Sequence, residues 1–147
     1  MVRIDVTTLI SRPVQDVWDY FIDLRNSPLW TRSGSELRPS SAEPFGVGTT
    51  IQSVRKVLGR EIKSQTLVAT HYDPGHLVSF NADVALLGRL IGGFTFESEG
   101  GGTRLSRWTE LEGGRARETI GTILSPAVRK AQGAELANLK RLIEARA

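Results

Sequence analysis

Ser11-Arg12-Pro13-Val14-Gln15-Asp16-Val17-Trp18-Asp19-Tyr20-Phe21 is where one periodicity ends and another begins. Before it, Val2 to Ile10 alternates: Ile4 and Val6 fall on one face, Arg3, Asp5 and Thr7 on the other, as in a half-buried strand. Ser11 supplies a capping hydroxyl and Pro13 stands near a first turn, where its missing N–H costs nothing. Val14, Val17, Trp18 and Phe21 then follow at i, i+3, i+4 and i+7, one apolar stripe of a helix. Asp16, Asp19 and Asp23 lie off that stripe, toward water.

Asp23 to Trp30 reads as a second short helical turn, stopped near Pro28. Ser33 to Gly48 is rich in Ser, Gly and Pro, with a short strand expected around Glu36 to Pro39 and a turn at Pro44 to Gly48. Thr49 to Leu58 and Arg60 to Tyr72 are β-branched and mostly alternating, and Gly59 between them predicts a hairpin. Asp73-Pro74-Gly75 is a turn, Leu77 to Val84 a strand, and Ala85 to Gly93 leads into a strand at Phe94 to Glu97. Gly100-Gly101-Gly102 is a permissive turn before a last strand, Thr103 to Leu111.

From Arg117 to Ala145 the period is helical. Ile120, Leu124, Val128 and Ala131 form one stripe; Leu136, Leu139 and Ile143 form another, shifted in phase. Pro126 is expected to interrupt this helix, with Ile120 and Leu124 lining a pocket before it and the later stripe packing on the sheet. Short turns between most strands imply antiparallel pairing. The fold class is therefore α+β: a strand, two short helices, about six strands, and a long C-terminal helix against a strongly curved antiparallel sheet.

Four local stretches resemble the START-like, or SRPBCC, superfamily with its helix-grip fold, and within it the polyketide cyclase/dehydrase family. Ser11 to Trp18 resembles the family's opening, a proline before a Val-Trp pair. Asp23 to Trp30 resembles the Asp-to-Trp stretch that follows, Gly102-Thr103-Arg104-Leu105 the start of the last strand, and Leu139-Lys140-Arg141-Leu142-Ile143-Glu144 the end of the long helix. The resemblance spans nearly the whole chain, 1–147, and implies a single ligand-binding domain. One departure stands on the last strand: the family often has an aromatic residue two places after the aliphatic one, whereas here Arg107 holds that place and Trp108 follows.

The 147 residues suit one domain, and a chain of this length buries roughly two thirds of its unfolded surface without a covalent staple. There is no cysteine, which excludes disulfides and thiolate metal sites and fits a reducing, cytoplasmic location. The alternating start lacks the apolar run of a signal peptide, and no stretch is apolar for long enough to span a membrane. The net charge is +3, with acids interleaved among the bases rather than a basic face, so no nucleic-acid partner is expected.

His71 and His76, the two histidines, flank the turn at Asp73-Pro74-Gly75 and are placed toward solvent; two imidazoles and one Asp do not fix a metal site, and no metal or cofactor is implied. No nucleophile elbow, P-loop or dinucleotide fingerprint is present. Alternation puts Leu105, Arg107, Thr109 and Leu111 on one face of the last strand and Arg104, Ser106, Trp108 and Glu110 on the other. An inward Arg107 requires a carboxylate, a ligand anion or a place at the pocket mouth; the alternative is a bulged strand that turns it to water. Gln132, beside Gly133, faces either the pocket or solvent.

The function expected is a binding or carrier protein for a small hydrophobic molecule such as a lipid, a polyketide-like compound or an isoprenoid. Trp30 is expected at the pocket mouth, with Phe80, Phe94, Phe96, Leu105 and Arg107 lining from the sheet. Ile120, Leu124 and Val128 are expected to line it from the helix. The alternative is a polyketide cyclase or dehydratase, for which Tyr72, His71 and Arg107 are the polar candidates. Homodimer formation is left open.

Overall fold

A computed structural model describes residues 2–31, 34–41, 45–84 and 88–146. Two expectations fall partly outside these residues: the turn beginning at Pro44 and the start of the Ala85 to Gly93 stretch. Strand β1 (Val2–Ile10) leads into helix α1 (Val14–Ile22), a 3-10 turn (Leu24–Asn26) and helix α2 (Ser27–Trp30). Six strands follow: β2 (Glu36–Pro39), β3 (Thr50–Val57), β4 (Arg60–Asp73), β5 (Leu77–Val84), β6 (Gly88–Glu99) and β7 (Gly102–Glu112). Helix α3 (Gly114–Glu144) ends the fold.

The strands form one antiparallel sheet in the order β1-β7-β6-β5-β4-β3-β2. Strands β1 and β2, neighbours along the chain, thus occupy opposite edges. The connection between them, α1 through α2, has to cross from one edge to the other. It closes one side of the curved sheet while α3 lies over β1 and β7 on the inner face. What is enclosed is the core. Trp18 packs edge-on against Phe96 with ring centroids 5.0 Å apart, and Phe21 sits 4.6 Å from Phe94.

Register decides which side chains face inward. Paired residues share a face, and β7 pairs with β1 and β6 without a shift. Leu105, Arg107, Thr109 and Leu111 therefore face in, across from Phe96, Phe94, Gly92 and Leu90. Trp108 faces the opposite side, against Gly93, where a Cβ would come within 2.5 Å of its ring. The bulged-strand alternative for Arg107 is excluded. Strand β4 does carry an irregularity, between Ala69 and His71. It inverts the alternation there: Ala69 pairs with Phe80 and Tyr72 with Val78, both inward, while His71 pairs with Ser79 on the outer face.

The expected interruption at Pro126 is absent: α3 runs for 31 residues with Pro126 inside it. Proline deprives the Thr122 carbonyl of its usual N–H partner. The Ser125 hydroxyl donates to that carbonyl at 3.0 Å and takes the partner's place. The inward face of α3 also differs from the apolar stripe expected of its first half. It runs through Gly121, Ser125, Val128, Gln132, Leu136, Leu139 and Ile143, all buried or half-buried. At Gly121 the helix comes so close to the sheet that a Cβ would lie 2.5 Å from Leu111 Cδ2. Ile120 and Leu124 flank this contact and are 44% and 43% exposed.

Candidate functional site

A cavity of about 360 Å³ lies between the inner face of the sheet, α3 and the short helices. Its floor is the middle of the sheet: Phe94, Gly92, Phe80 and Ala82, with Leu90 beyond. Strands β2 and β3 contribute Leu37, Ile51 and Ser53. Phe21, Leu24 and Trp30 come from the crossing helices, and Phe45 from the segment before β3. Gly92 keeps this floor low. A side chain there would meet the Trp108 carbonyl at 2.7 Å, so the position admits no Cβ without a backbone shift.

One wall is polar. Arg107 from β7 and Glu135 from α3 form an ion pair, Nη1 to Oε1 at 2.8 Å, with side chains 22% and 17% exposed. The guanidinium carbon also lies 4.9 Å from the centre of the Phe94 ring, within cation–π range. One helical turn away, Gln132 Nε2 donates to Thr109 Oγ1 at 2.8 Å. Gln132 Oε1 and Trp30 Nε1 are buried without a hydrogen-bond partner. Among the described residues no group of three or more His, Cys, Asp or Glu could hold a metal.

Of the residues singled out in the sequence, Trp30, Phe80, Phe94 and Arg107 line the cavity, though Trp30 is 3% exposed and belongs to the core rather than to an open mouth. Phe96 and Leu105 do not line it. They pair across β6 and β7 nearer Trp18 and are packed solid there. Ile120, Leu124 and Val128 do not line it either: Ile120 and Leu124 lie off the inward face of α3, and Val128 is on that face but outside the cavity, which α3 lines with Gln132 and Glu135. His71 is on the outer face, where its Nδ1 lies 2.9 Å from Ser79 Oγ, away from the cavity. Tyr72 points inward but is packed between the tilted rings of Trp18 and Phe45, at centroid distances of 5.9 and 4.9 Å, and does not reach the cavity. Of the catalytic candidates only Arg107 is a cavity residue. Glu135 and Thr109 were missed; an acid one turn from an inward-facing glutamine is the signal that would have found Glu135.

The sequence profile of the family described as polyketide cyclase / dehydrase and lipid transport matches residues 1–144. The chain belongs to this family. Solved structures agree on the fold. A protein from Arthrobacter aurescens superposes with a TM-score of 0.77 at 14% identity, over 99% of this chain and 87% of that one. TTHA0849 from Thermus thermophilus gives 0.67 at 19% identity, over 97% of both chains. Ara h 8.0201 gives 0.72 at 8% identity, over 99% of both. At these identities the likeness is one of fold. No curated protein sequence matches the chain. The helix-grip fold of the polyketide cyclase/dehydrase and lipid transport family is a ligand-binding one. Among the described residues no helix is long and apolar enough to cross a membrane.

Proposed function

We propose that this protein binds and carries a small hydrophobic molecule, of the lipid, polyketide-like or isoprenoid kind, in the cavity between the sheet and α3. The observation that carries this reading is the cavity itself: about 360 Å³ in the core, floored by Phe80, Ala82, Leu90 and Phe94. Sites for small molecules span about 300–1,000 Å³ and are mostly apolar with a few placed polar groups. Each CH₂ of a guest that leaves water for such a site contributes about 0.8 kcal/mol before the cost of association. Micromolar affinity then requires no covalent or ionic anchor.

The test is a titration with the uncharged fluorophore N-phenyl-1-naphthylamine against wild type and Ala82→Phe. Ala82 is buried on the cavity floor, so a phenyl ring there fills the space. Binding by wild type and loss in the plugged variant is the expected result. Equal binding by both proteins, or none by either, rejects the reading. Native mass spectrometry of protein purified from its own host, followed by extraction, then identifies the natural guest.

A second reading, a cyclase or dehydratase acting on a polyketide-like substrate, is favoured by one observation: the Arg107–Glu135 pair stands in the cavity wall. A carboxylate held beside a guanidinium is placed to take a proton from a bound guest. Recovery of a chemically altered guest from wild type, and of the unaltered guest from Glu135→Gln, would replace the carrier reading with this one.

A further inference from the structure

Among the described residues, two buried side-chain polar atoms lack a hydrogen-bond partner: Trp30 Nε1 and Gln132 Oε1. Both belong to residues that line the same cavity, one from α2 and one from α3. Buried polar groups are nearly always paired, because an unpaired one forfeits its bonds to water and gains nothing in return. Two such lapses on one cavity call for a common partner. Resting on the reading of the cavity as a binding site, we infer that its guest is an amphiphile. It carries a neutral hydroxyl that accepts from the Trp30 indole N–H and donates to the Gln132 amide.

The chemistry narrows the class. Indole offers a donor only. Thr109 Oγ1 bonds the Gln132 amide at 2.8 Å, and a hydroxyl both donates and accepts, so whichever amide atom it engages, the other is left over. A guest hydroxyl has both the acceptor and the donor that the two leftover groups call for. A hydrocarbon serves neither. A carboxylate can accept from the indole but brings a charge, and among the described residues of the wall the one guanidinium, Arg107, is already matched by Glu135 at 2.8 Å. An added anion would meet the Glu135 carboxylate with no further cation among those residues.

The test compares three guests of one shape, naphthalene, 2-naphthol and 2-naphthoate, by displacement of N-phenyl-1-naphthylamine from the full chain at pH 7. Wild type is expected to prefer 2-naphthol over naphthalene by about tenfold, the yield of one or two hydrogen bonds in a dry site. It should bind 2-naphthoate more weakly than 2-naphthol. Gln132→Leu and Trp30→Phe should each erase most of the preference for the alcohol while naphthalene still binds. Either variant suffices should the other fail to fold. Equal affinity for naphthalene and 2-naphthol, or a preference that survives both substitutions, overturns the hydroxyl anchor and leaves the carrier reading intact. Tightest binding of 2-naphthoate also overturns it, in favour of Arg107 as the anchor. If none of the three guests displaces the probe and the probe itself does not bind, both readings fall together.

Discussion

Arg107 on β7 and Glu135 on α3, 28 positions apart in the chain, meet at 2.8 Å in the cavity wall, so a strand and a helix are joined by opposite charges inside a largely apolar site. Each charge is tolerable because of the other. Removing Glu135 leaves the Arg107 guanidinium without its carboxylate. Glu135→Ala is expected to destabilise by about 1–3 kcal/mol, below the cost for a fully buried pair because both side chains keep some contact with water. The double variant Arg107→Met/Glu135→Leu should recover much of that loss. A double-mutant cycle by urea denaturation measures the coupling, and additive losses would show that the pair contributes no stability.

The two tryptophans on the crossing helices should behave alike in stability and differ in binding. Trp18 packs on Phe96 and Tyr72; Trp30 packs on Phe21 and Phe94 at 5.8 and 6.4 Å. Both are buried, so each change to alanine is expected to cost about 3–5 kcal/mol. Only Trp30 lines the cavity, so only its loss should alter the affinity for a hydrophobic probe in the protein that remains folded. A Trp30→Ala variant as stable as wild type would return this residue to the exposed mouth expected from the sequence.

The fold was legible because its signals are local. Pro13 with the Val14–Phe21 stripe marked α1, Gly59 marked a hairpin, and the change of period from Arg117 marked α3, which begins three residues earlier at Gly114. The cavity was half legible, and the failures have physical causes. The irregularity after Ala69 inverts the phase of β4, so no counting of alternate residues could send Tyr72 inward. In α3 Ile120 and Leu124 are not the inward residues. The helix approaches the sheet at Gly121, because close approach demands a small side chain, and this strands Ile120 and Leu124 beside the contact. Pro126 carried a true local signal that Ser125 cancels through a hydrogen bond to Thr122, a pairing that only the helix itself brings about.

Two glycine-related positions offer stabilising changes. Leu58 and Gly59 join β3 to β4, and both have positive φ, 52° and 77°, as the two central residues of a type I′ hairpin turn do. Leucine is strained there and 98% exposed. Leu58→Asn should raise stability by about 0.5–1 kcal/mol, since asparagine tolerates this conformation. Gly133 lies inside α3, where a Cβ would meet Val6 Cγ1 at 3.7 Å, an ordinary contact. Gly133→Ala should add about 0.5–1 kcal/mol of helix propensity. Thermal melts decide both; a loss of stability in either would mean that the glycine or the turn is held for another reason.

Gly93 should give the opposite sign. A Cβ there would lie 2.5 Å from Trp108 Cη2, 2.5 Å from the Val78 carbonyl and 2.8 Å from Ser79 Cα. The ring could turn aside, but the two backbone contacts cannot relax without separating β5 from β6. Gly93→Ala is expected to cost about 1–3 kcal/mol, as overpacking does. The companion Gly93→Ala/Trp108→Ala tests the cause: removing the ring should restore little of the loss, because backbone atoms supply the rest of the clash. Full recovery in the double variant would locate the whole conflict in the Trp108 side chain.

The end of α3 is fastened to the turn between β1 and α1 by Glu144, and this contact should depend on pH. Its carboxylate accepts from the Ser11 backbone N–H at 2.7 Å and from Lys140 Nζ at 2.9 Å. Arg12 reaches back to the carbonyls of Glu144 and Arg146, occupying acceptors that the last helical turn leaves free. Chiefly through the Ser11 bond, and then through Lys140, the carboxyl is held below its ordinary value of 4.5. A carboxyl whose pKa is lower folded than unfolded contributes stability that is full above the unfolded value and is lost as pH falls through the folded one. The side chain is partly exposed, so the contribution at pH 7 should be about 1 kcal/mol or less. Glu144→Gln keeps the shape and an acceptor for Ser11 but removes the charge. Wild type should exceed this variant in stability at pH 7, and the gap should narrow as the pH falls below the ordinary carboxyl range and the Glu144 charge is titrated away. Urea melts of the two proteins across a descending pH series measure it. A gap that stays constant with pH would mean that Glu144 acts here by shape and hydrogen bonding alone, not by its charge.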